Sequence, residues 1–148
     1  MIKLIIILIL AVALLAVGYY FRYDIGFEYA VRKDAEKPWA EKPGLIKVFS
    51  PKPDEVISNP LIIEGEARGY WFFEASFSVR IYDDAGQELG VAVAQAQDEW
   101  MTTEFVPFKA TLEFMAPATE TGVLVLEKDN PSGLPENADE LRVPIKFK

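Results

Sequence analysis

The chain of 148 residues contains no cysteine and no histidine. Without cysteine it cannot form disulfide bonds, thiol nucleophiles, iron–sulfur clusters or cysteine zinc sites. Without histidine it lacks the usual general base at neutral pH and the commonest metal ligand. These absences exclude the chemistries named above. Other candidate patterns in the chain are better explained as structural, so the sequence predicts no metal centre, no cofactor and no enzymatic activity.

Basic residues are scarce in the larger part of the chain. Residues 44–148 contain 9 Lys and Arg against 18 Asp and Glu, a net charge of −9 (9 − 18), while the whole chain carries −8. Such a field repels polyphosphates, so the sequence predicts that the protein does not bind nucleic acid. The plainer role of this acidity is to keep an aromatic-rich β domain soluble.

Charged residues are also absent from residues 4–21. A helix of that length would span roughly 27 Å, close to the thickness of a membrane hydrocarbon core. Residues 1–21 are therefore predicted to form a single transmembrane anchor or uncleaved signal, with the membrane as the partner of residues 4–21. The alternative is a cleaved signal peptide, with Lys3 as its basic region and a weak small-residue site at residues 16–18.

Residues 22–43 are predicted to be a juxtamembrane linker. They are polar, include Pro38 and Pro43, and show no sustained periodicity. Trp39 is the lone aromatic of residues 34–43, which read as an extended tether, and we expect it to pack on the domain or on the lipid interface. Positive charges lie on both sides of the apolar run, so charge alone does not set the membrane orientation.

From residue 45 onward, short apolar stretches alternate with turn residues. In the clearest stretch, every second residue from Phe73 to Ile81 is apolar, which is the period of a half-buried strand. In residues 89–96 we expect Val91 and Val93 to face inward and the alanines to face outward. Seven strands are predicted, at Leu45–Phe49, Leu61–Ala67, Phe73–Tyr82, Leu89–Ala96, Phe105–Phe114, Val123–Glu127 and Leu141–Phe147.

Because no amphipathic helix separates these strands, residues 44–148 are predicted to form an all-β domain. About seven short alternating strands joined by regular turns are typical of an immunoglobulin-like antiparallel β-sandwich. No disulfide can join its two sheets, so buried aromatic side chains must supply that part of the core.

Several short patterns follow one another in order along this domain. They are Phe49-Ser50-Pro51 with Ser58-Asn59-Pro60-Leu61, Gly65 to Gly69, Trp71 to Phe77, Trp100-Met101-Thr102 with Phe105 and Pro107-Phe108, and Asn130-Pro131-Ser132-Gly133. Over residues 45–148 the set resembles the immunoglobulin-like domain associated with bacterial spore germination and sporulation, the second type of the Gmad families. The resemblance implies an extracytoplasmic module and brings no catalytic residues to this chain.

The candidate binding surface lies around the aromatic stretch and in two later loops. Exposed aromatic side chains stack on sugar rings or anchor protein partners. The alternative is that Trp71 fills the core, that Arg68 and Glu74 pair nearby, and that Asn130 caps a turn. The candidate residues are Arg68, Tyr70, Trp71, Glu74, Trp100, Asn130 and Ser132.

The sequence thus predicts a membrane-anchored, non-enzymatic module outside the cell membrane that binds an envelope protein or a cell-wall polymer. A link to sporulation or germination follows from the resemblance alone. One alternative is a cell-wall glycan-binding module that uses Trp71. Another is a glycoside hydrolase-like enzyme, because Glu64 and Glu66 lie two apart on one strand, with their side chains about 7 Å apart.

Overall fold

The computed structural model describes residues 39–148. This part of the chain forms nine β-strands and two short 3-10 turns, Gly69–Trp71 and Pro135–Asn137. The strands are β1 (Ala40–Lys42), β2 (Ile46–Ser50), β3 (Glu55–Val56), β4 (Leu61–Arg68), β5 (Ser76–Asp83), β6 (Glu88–Ala96), β7 (Phe105–Leu112), β8 (Thr121–Glu127) and β9 (Glu140–Lys146). The predicted all-β fold is confirmed, and all seven predicted strands are present.

No helix within residues 39–148 is long and apolar enough to cross a membrane. The predicted anchor at residues 1–21 lies outside the described residues. The last part of the predicted linker contributes β1, and Trp39 packs on the domain beside it. Its amide donates to the Val48 carbonyl at 2.8 Å, and the Lys52 ammonium lies 4.1 Å from its ring centroid.

The strands form one sheet in the order β1-β2-β4-β7-β6-β5-β8-β9-β3. Every neighbouring pair is antiparallel except β3 and β9, which run parallel. The sheet curls, so side chains from strands that are not neighbours meet in one core. The Phe77 ring of β5 packs edge-on against Phe108 of β7, with centroids 4.9 Å apart, and against Phe72 at 5.2 Å.

The inward and outward faces of β6 are the reverse of the predicted ones. Val91 and Val93 are exposed, whereas Leu89 and Ala94 are buried. The cause is a β-bulge: Ile81 pairs with Gly90 and Tyr82 pairs with Glu88, which leaves Leu89 as an extra residue. One inserted residue shifts a period-2 pattern by one, so the small alanines face the core after the bulge.

Both margins of the sheet are short strands. β1 has three residues, and its Lys42 forms an ion pair with Asp139 next to β9. β3 has two residues and pairs with the other end of β9, at Ile145 and Lys146. Outermost strands this short present few unpaired backbone groups of their own, which limits edge-to-edge pairing through them.

Candidate functional site

Three loops meet at one end of the domain. Residues 69–75 connect β4 to β5, residues 97–104 connect β6 to β7, and residues 128–139 connect β8 to β9. The strand registers place them together, because Arg68 pairs with Phe105, Ser76 with Gln95 and Glu127 with Glu140. We call these three loops the loop end.

Backbone hydrogen bonds join the three loops to one another. The Gly69 amide donates to the Glu104 carbonyl at 3.1 Å, and the Asp129 amide donates to the Trp71 carbonyl at 3.0 Å. A Cβ atom at Gly69 would overlap the carbonyl oxygens of Trp100 and Thr102, so only glycine allows this close approach. The loop end is therefore a prearranged surface rather than three separate loops.

Large apolar side chains are exposed on each loop of this end. Tyr70 is 50 % exposed, Phe73 42 %, Met101 74 % and Leu134 50 %. Ten large apolar side chains are exposed within residues 39–148, and four of them lie on these three adjoining loops. Aromatic and methionine side chains are also enriched in protein–protein interfaces.

A tight turn carries Phe73 to the surface, where the sequence pattern predicts an inward-facing strand residue. Phe73 and Ser76 exchange two backbone hydrogen bonds, at 3.0 and 3.1 Å. Glu74 and Ala75 between them both have positive φ, 49° and 62°. These are the dihedral signs of a type I′ hairpin turn, which normally contains Asn or Gly. The prediction that Phe73 faces inward on a strand is wrong, because the chain turns at this point. The turn was not recognised in the sequence because its two central residues are neither Asn nor Gly.

The seven residues of the predicted surface all lie in the loop end or at the β4 end that leads into it. Tyr70 and Glu74 are exposed, and Trp100 is half-buried against the core. Trp71 is completely buried, so it cannot stack on a sugar ring. Its indole N–H has no hydrogen-bond partner within the described residues.

The other predicted polar residues are engaged within the fold. Arg68 donates to the carbonyls of Gly44 and Thr103, both at 3.0 Å, and its guanidinium lies 4.2 Å from the Phe105 ring centroid. Asn130 donates to the Leu134 carbonyl at 2.8 Å and accepts from the Ser132 hydroxyl at 2.6 Å. These contacts shape the loops and leave the exposed apolar side chains as the candidate contact surface.

Sequence reasoning missed Phe73, Met101 and Leu134 as members of this surface. The available signal was local: Met101 and Leu134 are large apolar residues in segments that otherwise have the composition of polar turns. An apolar residue that no strand period accounts for is a candidate for exposure.

A second polar cluster lies on the outer face of β5. Arg80 bonds Glu127 at 2.9 Å and Glu88 at 2.8 Å, and the Tyr82 hydroxyl donates to Glu88 at 3.1 Å. Beside this cluster, β8 and β9 line an open groove of about 460 Å³, with Val123 and Arg142 among its lining residues.

Burial on this face follows from the strand register. Val125 lies between Arg80 and Arg142 in the sheet and is buried, although it alternates with the core residues Leu124 and Leu126. We attribute this to the aliphatic stems of the two arginines. Arg142 is in turn paired with Glu140 at 3.0 Å. The charges of this face are thus satisfied by one another.

The hydrogen bonds of this cluster shift its proton equilibria. Bonds from Arg80 and then from Tyr82 hold the pKa of Glu88 below its usual value. Burial, and then the bond to Glu88, raises the pKa of Tyr82. The bonds to Glu127 and Glu88 raise the pKa of Arg80, which stays charged. Such mutual stabilisation is typical of a structural ion-pair network.

Replacing Glu88 with Gln should cost stability at neutral pH and little in acid. Because its pKa is lower in the folded state, the Glu88 carboxylate stabilises the fold above its unfolded-state pKa of about 4.3. That contribution is lost as the pH falls through the lower folded-state pKa. The difference in Tm between wild type and Glu88→Gln should therefore be largest above about pH 5 and shrink on acidification.

Thermal unfolding followed by circular dichroism across this pH range measures the difference. Glu113→Gln is the control, because Glu113 is exposed and forms no ion pair within residues 39–148. A difference for Glu88→Gln that stays constant with pH would contradict the assignment.

The two carboxylates proposed for glycoside hydrolysis are bound to separate lysines. Glu64 pairs with Lys109 at 2.6 Å, and Glu66, which is buried, lies 3.7 Å from Lys47. The Lys47 ammonium also lies 4.1 Å from the Phe105 ring centroid. This arrangement joins β2, β4 and β7 by ion pairs and does not favour an acid–base pair in a cleft.

Comparison with known proteins identifies the domain. The family model described as the immunoglobulin-like domain of bacterial spore germination, Gmad2, matches residues 45–133. The match includes the first two loops of the loop end and the start of the third. No curated protein and no solved structure shows significant similarity to the chain. Since the match covers more than half of the sequence, the chain belongs to the Gmad2 family of immunoglobulin-like domains of bacterial spore germination.

Proposed function

We propose that this protein is a membrane-anchored interaction module of the bacterial envelope that binds a partner protein through the loop end. The observation that carries the proposal is the exposure of four large apolar side chains on loops fixed by backbone hydrogen bonds. A prearranged apolar surface binds at a smaller cost in conformational entropy than mobile loops do. Membership of the germination family supports a binding role and is the reason to propose a sporulation-related context.

The outer face of β5 is a weaker candidate for the binding surface. Its arginines and glutamates already satisfy one another, so a partner would have to break ion pairs that the fold makes. The exposed apolar side chains of the loop end need only lose water, which favours association. The side chains that contribute most to the binding free energy are therefore expected to lie at the loop end.

The anchor and the location outside the membrane are part of the proposal. The uncharged residues 4–21 are long enough to span a bilayer.

A photoreactive residue at Met101 tests the binding surface. With p-benzoylphenylalanine at this position in the full-length protein in its native membrane, we expect one dominant crosslinked protein. Met115 is the matched control, because it is 58 % exposed at the opposite end of the domain. The Leu134→Ser variant should lower the crosslink yield from position 101 about fivefold, as expected for loss of an apolar contact.

Equal crosslinking from positions 101 and 115 would contradict the assignment of the surface. Capture of glycan fragments alone would favour the cell-wall glycan-binding alternative.

The absence of cysteine allows a separate test of which side of the membrane the domain occupies. A single Cys at position 115 should react with a membrane-impermeant maleimide in intact cells, and mass spectrometry should recover the peptide that begins at Met1. A mature N-terminus near residue 19 would instead indicate a secreted domain.

A further inference from the structure

We infer that the partner of the loop end presents a cationic segment, in which lysine or arginine side chains surround apolar ones. This inference rests on the proposed function and specifies the chemistry of the partner. It follows from the combination of charge and apolar exposure on the three loops.

The loops carry a strong excess of carboxylates. Residues 69–75, 97–104 and 128–139 together hold seven Asp and Glu against one Lys, a net charge of −6 (1 − 7). Two of the seven are paired with cations from outside the loops, Asp139 with Lys42 and Glu104 with Arg68. Glu74, Asp98, Glu99, Asp129 and Glu136 form no ion pair within residues 39–148.

Lys128, the single cation of the loops, forms no ion pair within residues 39–148. Lys128 donates to the backbone carbonyl of Asn137 at 3.2 Å. An anionic partner would thus meet five unpaired carboxylates, and like charges brought together at an interface disfavour binding strongly. A cationic partner would gain favourable encounters and could pair with the carboxylates that form no ion pair within residues 39–148.

The exposed apolar side chains indicate that the partner presents apolar groups as well as positive charges. Met101 and Phe73 are exposed within the same loops that carry Glu99 and Glu74. An interface of this kind has apolar contacts at its centre and charged contacts at its rim. A segment with both lysine and leucine-type side chains complements both features, whereas a simple polyamine complements only the charges.

Binding of a synthetic peptide of lysine and leucine tests the inference. The full chain in nanodiscs of zwitterionic phosphatidylcholine is titrated with this peptide, with empty nanodiscs as the blank. A peptide of glutamate and leucine with the same apolar pattern serves as the charge-reversed probe. We expect the lysine peptide to bind at least about tenfold more tightly, and its advantage to fall as salt screens the charges.

Variants at the loop end, each matched by a control variant at the opposite end of the domain, show where the peptide binds. The double variant Glu99→Gln with Glu136→Gln should weaken binding of the lysine peptide about tenfold. Glu113→Gln with Glu120→Gln removes the same charge from the opposite end and should change affinity less than about twofold. Likewise, Met101→Ser should weaken binding about fivefold, while Met115→Ser should have no effect.

Equal affinity for both peptides, or equal loss in the two double variants, would overturn the inference. Failure of this inference can be distinguished from failure of the proposed function. If position 101 crosslinks a specific envelope protein but the lysine peptide does not bind, the loop end is an interaction surface for a partner of other chemistry. If neither occurs, the proposed function and the inference both fail.

Discussion

Replacing Trp71 with Ala should lower the free energy of unfolding by about 4 kcal/mol, the largest effect that we expect from a single side chain. Trp71 is the largest completely buried side chain, and it belongs to the central core cluster together with Phe77 and Phe108. Its removal leaves a cavity beneath the loop end. Domains of this size have about 5–15 kcal/mol of stability, so the variant would keep only a part of it.

Trp71→Phe tests how much of this loss of stability comes from packing of the aromatic ring. Phenylalanine retains most of the apolar volume and removes an indole N–H that has no partner within the described residues. A buried N–H without a hydrogen bond costs about 1–3 kcal/mol, so its removal offsets part of the lost packing. Urea unfolding of the full chain, followed by circular dichroism, should show at least about 2 kcal/mol between the two variants. Equal losses would mean that the phenyl ring does not replace the packing of the indole ring.

Replacing Gly69 with Ala should cost about 3 kcal/mol and loosen the loop end. The new methyl group would overlap two backbone carbonyl oxygens, those of Trp100 and Thr102. Backbone atoms cannot move aside as the end of a flexible side chain can, so residues 97–104 must shift as a unit. The hydrogen bond from the Gly69 amide to Glu104 would then lengthen or break.

Gly86→Ala is the matched control for this substitution. Gly86 has φ of +80° and open space around its Cα, so alanine there meets backbone strain and no overlap. The expected cost is about 1 kcal/mol. Thermal unfolding should rank the two variants in this order, and only Gly69→Ala should reduce photocrosslinking from position 101. Equal destabilisation by both would show that the loops accommodate a methyl group at Gly69.

The sequence predicted the seven longer strands but not the two short strands at the edges of the sheet. Seven strands follow from the alternation of apolar and polar residues, because each has one face in the core. β1 and β3 are three and two residues long, too short for any period to be visible. The reversed faces of β6 depend on a bulge at Leu89, and a bulge is set by the pairing with β5 rather than by the local sequence.

The residues predicted for the binding surface lie near one another in the structure, but they are not all exposed. Tyr70 and Glu74 were expected at the surface and are exposed there. Trp71 was weighed both as a stacking platform and as core, and the structure buries it. Whether a side chain in an aromatic run points in or out depends on the 3-10 turn at Gly69–Trp71, which carries Tyr70 outward between two buried residues. Alternation rules for strands do not describe such a turn.

The short strands at the margins of the sheet have a consequence for molecular recognition. Within residues 39–148 the outermost strands are three and two residues long, so each of them offers an incoming extended peptide only a short row of backbone groups. Recognition by strand addition depends on backbone groups and tolerates many sequences. A domain whose outermost strands are this short is expected to select its partner mainly through side chains, and its copies are expected not to join into a shared sheet through those strands.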